Sequence, residues 1–150
     1  MMPQFLSLRM AGSDVQQMAR AAGTPMFLYS NECFGLSDSA LYTARASVAS
    51  AAANATQGKQ LDLALYVMDG AAGKLDPAFD AHTGPFKTWA LTIWSEWFPV
   101  HFLQTALAKA KIKLSKAKRS VWSVARGPVT AFLATAARIH WTITSATHAI

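Results

Sequence analysis

Between Leu103 and Val124 the apolar residues Leu103, Leu107, Ala110, Leu114, Ala117, Val121 and Val124 recur at alternating steps of four and three. At about 100° per residue they form a single helical face about 100° wide. This is the clearest periodic pattern in the chain, and it predicts a long helix from Phe86 to Arg126, kinked at Pro99 because proline lacks a backbone N–H. Gly127-Pro128 ends that helix, with Pro128 suited to the first turn of a closing helix over about 128–147.

The first half predicts shorter elements. Ser13-Asp14-Val15-Gln16 matches a capping box and opens a helix that should stop at Gly23. Residues 24–35 start near a proline, are rich in aromatics and lack a helical period, so an extended segment or short strand is expected there. Ser37-Asp38 caps a helix running to about Thr56, with an inner stripe of Leu41, Ala44, Val48, Ala51, Ala52 and Ala55. Side chains this small let a neighbouring helix approach closely. A third helix covers residues 60–68, and the turn-rich stretch 70–85 follows. The fold class expected is all-α: an N-terminal cluster of small-residue helices, the long helix of about 86–126, and the closing helix. Length favours a single helical domain over 1–150, with a sub-boundary in the 70–85 loop.

Charge changes this picture. Residues 1–96 hold six Lys/Arg and eight Asp/Glu, whereas residues 97–150 hold eight Lys/Arg and no acid. On the long helix Lys109, Lys113, Lys116 and Arg119 lie around the side opposite the apolar face, Lys111 and Lys118 flank the seam, and Arg126 ends the run. None has the i, i+4 acid partner of an ordinary solvated face. Three roles fit: a helix packed on its own domain with lysines outward, an amphipathic helix lying on anionic lipid headgroups, or a contact with the phosphates of nucleic acid. Lysine dominance disfavours base readout, for which forked arginine is suited.

Upstream, residues 88–108 have the length of a membrane span and contain three of the five tryptophans, with Trp89, Ile93 and Trp97 at i, i+4 spacing. Glu96, Pro99, His101 and Gln104 make the stretch too polar for a free-standing span. Trp89, Trp94, Trp97, Phe98 and Phe102 are the residues expected at a subunit or membrane interface.

Catalytic chemistry finds little footing. An acid-free second half removes paired carboxylates and His–Asp orienting pairs from residues 97–150. His82, His101, His140 and His148 are scattered, without HExxH-type spacing. His101 and His140 would ligate a haem only if neighbouring helices brought them face to face; core or interface histidines are the simpler expectation. Residues 68–75 end like a phosphate-binding loop but carry Met68 in place of glycine and Leu75 in place of Ser/Thr. The lone Cys33 excludes an intrachain disulfide and is expected to be a small buried hydrophobe. The first twelve residues bear a weak likeness to an organelle-targeting leader.

Together these features predict a non-enzymatic structural or accessory subunit of a larger assembly, with no cofactor and no metal. It is expected to be membrane-associated, as in an energy-transducing complex of the mitochondrial inner membrane, and partnered by other protein subunits and phospholipid headgroups. The alternative is a nucleic-acid-coating protein, such as a helical viral coat or nucleoprotein subunit in a virion, using the same cationic helix.

Overall fold

The computed structural model describes residues 7–8, 10–11, 15–52, 60–69, 74–117 and 120–146. The chain is all-α. It clusters into two compact units, Met1–Tyr29 with Ser37–Asp80, and Ser30–Leu36 with Ala81–Ile150.

In the first unit, α1 runs without interruption through Val15–Met18, the π-turn Ala19–Gly23 and Thr24–Phe27. The expected stop at Gly23 and the extended segment after it are therefore corrected. The reason is Pro25. It has no N–H, and its ring crowds the carbonyl four residues back, so the preceding turn widens and the Thr24 N–H reaches the Ala19 carbonyl. The capping box at 13–16 lies largely outside the described residues.

Helix α3 (Asp38–Ala52) begins as its sequence predicts, with Ser37 Oγ accepting the Ala40 N–H at 3.2 Å. Its buried stripe is Leu41, Ala44, Val48, Ala49 and Ala51, with Ala52 half-buried; Ala55 is outside the described residues. Helix α4 (Leu61–Asp69) lies against α3, and Ala19, Val48, Ala49, Leu65 and Leu75 make the core.

Polar side chains fasten this core at its edges. Arg45 on α3 forks onto Asp76, with Nε to Oδ1 at 2.9 Å and a terminal nitrogen to Oδ2 at 2.7 Å, and that nitrogen also reaches Asp62 on α4 at 2.6 Å. The Asp76 hydrogen bond, followed by the smaller contribution of Asp62, raises the Arg45 pKa against the opposing effect of burial. Arg20 donates to the carbonyls of Met68 and Asp69, both at 3.1 Å, and so closes the C-terminal end of α4. The buried Asp69 carboxylate accepts the N–H groups of Lys74 and Leu75 at 3.2 and 2.9 Å. In the stretch that resembles a phosphate loop, this carboxylate is thus itself engaged by two backbone N–H groups.

Helix α5 (Pro77–Trp94) absorbs half of the expected 70–85 loop, because Pro77 sits where a missing N–H costs nothing and the Asp76 carboxylate caps the Ala78 N–H at 2.9 Å. The boundary between the units, Asp80/Ala81, falls inside this helix.

The second unit is built around α7 (Pro128–Arg138), whose residues Thr130 to Ala136 are all buried. The short α2 (Asn31–Phe34) and α6 (Val100–Ser115) both pack on it. From α5, Phe86 meets Phe132 edge-on at 5.1 Å and Trp89 stacks on Phe132 at 5.0 Å. Gly127 precedes α7 at φ 115, a conformation that suits glycine, and its N–H donates to the Cys33 carbonyl at 2.8 Å. Gly35 leaves room for Trp122, since a Cβ there would lie 2.4 Å from the indole, while the Arg138 guanidinium stands 4.2 Å from the ring centre. Cys33, expected in the core, is exposed; its carbonyl is the group that packing uses.

The long helix of 86–126 and the closing helix of 128–147 are both shorter than expected. Pro99 does not kink a continuous helix but acts as the N-cap of α6, its carbonyl accepting the Phe102 N–H at 2.9 Å. Helix α6 stops at Ser115, within a run of lysines at i, i+3 and i, i+4 that repel one another. A separate 3-10 turn, Val121–Ser123, starts from Ser120. Helix α7 ends because His140 is left-handed (φ 60), with the His140 N–H bonded to the Ala137 carbonyl and the Trp141 N–H to the Ala136 carbonyl. This is the terminating pattern usually built on glycine.

Pro85 lies inside α5 and deprives the Ala81 carbonyl of its usual partner. The buried amide of Asn31 on α2 donates to that carbonyl at 3.3 Å, beside Gly84, where a Cβ would come within 3.1 Å of the amide nitrogen. Asn31→Ala is therefore expected to cost about 1–3 kcal/mol in urea unfolding. The cost should shrink in a Pro85→Ala background, which restores the helical N–H. An equal cost in both backgrounds would show that Asn31 does not act through this carbonyl.

Candidate interaction surface

Two residues, Glu96 and Pro99, make the chain turn between α5 and α6. Proline at 99 disfavours helix at Phe98, Glu96 takes a left-handed conformation at φ 49, and α6 restarts only at Val100. The apolar side chains around this turn have nothing from the second unit to cover them. Trp94 is 88% exposed and Trp97 69%, and Phe98, Val100 and Phe102 are each about half exposed or more. Five large apolar residues within nine positions form a concentrated exposed patch, unlike the scattered apolar residues of an ordinary surface.

Trp89 is placed differently from the other expected interface residues. It is 7% exposed, stacked on Phe132, and its indole N–H donates to the Ala146 carbonyl at 3.1 Å. It belongs to the core, and the expectation of an interface role is corrected. Its i+8 partner Trp97 falls beyond the end of α5, so the helical spacing that linked them does not hold in space.

The apolar seam of α6 is also enclosed. Leu103, Leu107 and Ala110 are buried with Leu133 and Ala136 of α7, and Leu114 packs against the same cluster. A helix that already faces its own core cannot also lie apolar face down on lipid. Its outward side carries Lys109, Lys111 and Lys113, with Lys116 just past the last turn, all exposed. At 100° per residue Phe102, Lys109, Lys113 and Lys116 share a sector about 60° wide, and Lys111 lies on the other flank. The aromatic turn thus runs into a cationic stripe. Arg126 is exposed beyond the 3-10 turn, and Lys118 and Arg119 lie outside the described residues. In the first unit, ion pairs join Arg20 to Asp69 and Arg45 to Asp62 and Asp76.

Two depressions flank α7. One is an open apolar cleft of about 380 Å³ bordered by Phe86, Trp89, Ile93, Trp94, Trp141 and Ile143. The other is a more open groove of about 610 Å³ in which Lys111 and His140 stand beside Leu133, Trp141 and Ile143. The sequence offered no signal for either, because their walls come from α5, α6 and the segment after α7. His101 and His140 do not face each other. His140 is beside Lys111, whereas His101 sits ten positions earlier on α6, about 15 Å along the axis, against the Phe102 ring. Among the described residues no group of His, Cys, Asp or Glu is arranged to hold a metal ion. The 88–108 stretch is divided by the turn, and no described helix is long and apolar enough to cross a membrane.

No family model, curated protein or solved structure matches this chain. What it does must be read from its own surface.

The enclosed seam has a measurable consequence. Leu107→Ala should destabilise the chain by about 2–5 kcal/mol, while Lys109→Ala and Lys113→Ala should each stay within about 0.5 kcal/mol. Denaturant midpoints that barely moved for Leu107→Ala would mean that the seam is free rather than internal.

Proposed function

We propose that this chain is a non-catalytic structural or accessory subunit that attaches to an anionic membrane surface through the aromatic turn at 94–102. The lysines of α6 supply the electrostatic part. The observation that carries this reading is the junction of the two: exposed Trp94, Trp97, Phe98 and Phe102 on one side, and exposed Lys109, Lys113 and Lys116 in line with Phe102 on the other. Tryptophan is favoured at the lipid–water boundary, where its ring is partly desolvated and its N–H stays wet. Each lysine close to an anionic leaflet adds about 1 kcal/mol of attraction, and long lysine stems reach headgroups while the helix body stays outside. Glu96, exposed within the turn, is the one acid of residues 94–150 and sets a single negative charge against the three lysines. The apolar contact is made by the turn and not by the amphipathic seam, which is committed to α7.

Flotation with vesicles containing anionic lipid tests this reading. The full chain should float, and Trp94→Ser with Trp97→Ser and Phe102→Ser should reduce binding at all salt concentrations. Lys109→Glu with Lys113→Glu and Lys116→Glu should reduce it by roughly 100-fold at low salt and by less at high salt. A chain that stays unbound to vesicles but is retained on an oligonucleotide with a steep salt dependence would instead be a phosphate-backbone binder. Unchanged flotation in the aromatic variant would remove the turn from the contact.

A further inference from the structure

The cleft beside α7 is a second feature of the same unit, and its chemistry differs from that of the turn. Its walls are aromatic and aliphatic, with Ser145 the only polar side chain among them. Of the three indoles that border it, that of Trp89 already donates its N–H to the Ala146 carbonyl at 3.1 Å. A ligand here finds rings to pack on and few polar groups to satisfy, which selects hydrocarbon over a peptide or a sugar. At about 380 Å³ the cleft is at the small end of ligand sites and suits one narrow chain, not a second helix.

The neighbouring groove supplies what the cleft lacks. Trp141 and Ile143 line both depressions, and on the groove side stand Lys111 and His140, both exposed. Lys111 is the lysine of α6 that lies apart from the stripe formed by Lys109, Lys113 and Lys116. No acid within residues 97–150 competes for it.

We infer that this unit binds a single-chain anionic amphiphile, a fatty carboxylate. Its alkyl chain lies in the Phe86–Trp89–Ile93–Trp141 cleft, and its carboxylate turns over the Trp141–Ile143 edge towards Lys111 and His140. This site does not depend on membrane attachment: Lys109, Lys113 and Lys116 border neither depression, Trp94 is the one cleft residue shared with the aromatic turn, and a monomeric amphiphile reaches the cleft from water. Burial of the chain supplies affinity, and Lys111 distinguishes a charged head from a neutral one.

Tryptophan quenching by a terminally brominated dodecanoate, kept below its micelle concentration, reads the site directly, since Trp89, Trp94 and Trp141 border the cleft. The full chain should show saturable quenching. Ala90→Phe, which fills the cleft from the exposed side of α5, should weaken binding by about tenfold or more. Lys111→Met should weaken the carboxylate by roughly tenfold and leave the matching brominated alcohol unchanged. The Lys109→Glu, Lys113→Glu, Lys116→Glu chain should keep soluble quenching even where vesicle flotation is lost, so this proposal and the membrane reading fail separately. Non-saturable quenching, or equal quenching in Ala90→Phe, overturns the inference. So does binding only of brominated phospholipid in vesicles, or binding that appears only in a chain ending at Ala146.

Discussion

The second unit depends on the burial of α7. From Thr130 to Ala136 every residue of this helix is enclosed, and no charge appears in it until Arg138. A helical stretch that is uncharged and enclosed all round has no solvent face and is stable only when other elements surround it. That requirement accounts for the arrangement of the unit: α6 gives up its Leu103–Leu107–Ala110 seam to it, α5 sends in Phe86 and Trp89, and α2 covers a further side. The polar fastenings follow from the same need. Gly127 ties the start of α7 to Cys33, and Arg138 bonds the Leu36 carbonyl at its end while standing over Trp122.

Committing the seam of α6 to α7 decides what remains for partners. The lysines are left outward because the other face is occupied, and the aromatic side chains of the 94–102 turn are left outward because the helices end there. A charged stripe and an apolar tip on one unit make a two-part surface; in the proposed attachment, electrostatic attraction would act at a distance and ring burial on contact. The cleft is different again. It is a gap between α5 and the segment after α7, and its aromatic walls belong to the same ring cluster that holds the core.

The prolines show where sequence and structure part. Pro25, Pro85, Pro99 and Pro128 all signal a break in helix. Pro128 behaves as expected, since first-turn geometry is local. Pro99 starts a helix instead of bending one. Pro25 is absorbed by a π-turn, and Pro85 is tolerated because Asn31, more than fifty positions away, donates to the carbonyl that the proline leaves open. No local pattern announces that donor. The same limit applies at His140, which closes α7 in a conformation normally assigned to glycine.

What the sequence determined by itself is what depends on neighbours along the chain: the all-α class, the capped start of α3 at Ser37, the small-residue stripe below it, the seam of α6 and the cationic bias of residues 97–150. Hydrophobic periodicity, capping and formal charge are local quantities, and they carry into the fold as far as each helix runs: the periodic face reaches Val124 in the sequence, but α6 ends at Ser115. Only the tertiary structure decided which apolar residues are core and which are surface. Trp89 and Trp97 share a helical register in the sequence, yet one is buried on Phe132 and the other stands free, because the chain turns between them and α7 covers only one. The cleft and its lysine-bearing neighbour were likewise settled by packing, for a cavity exists only between elements that distant parts of the chain bring together.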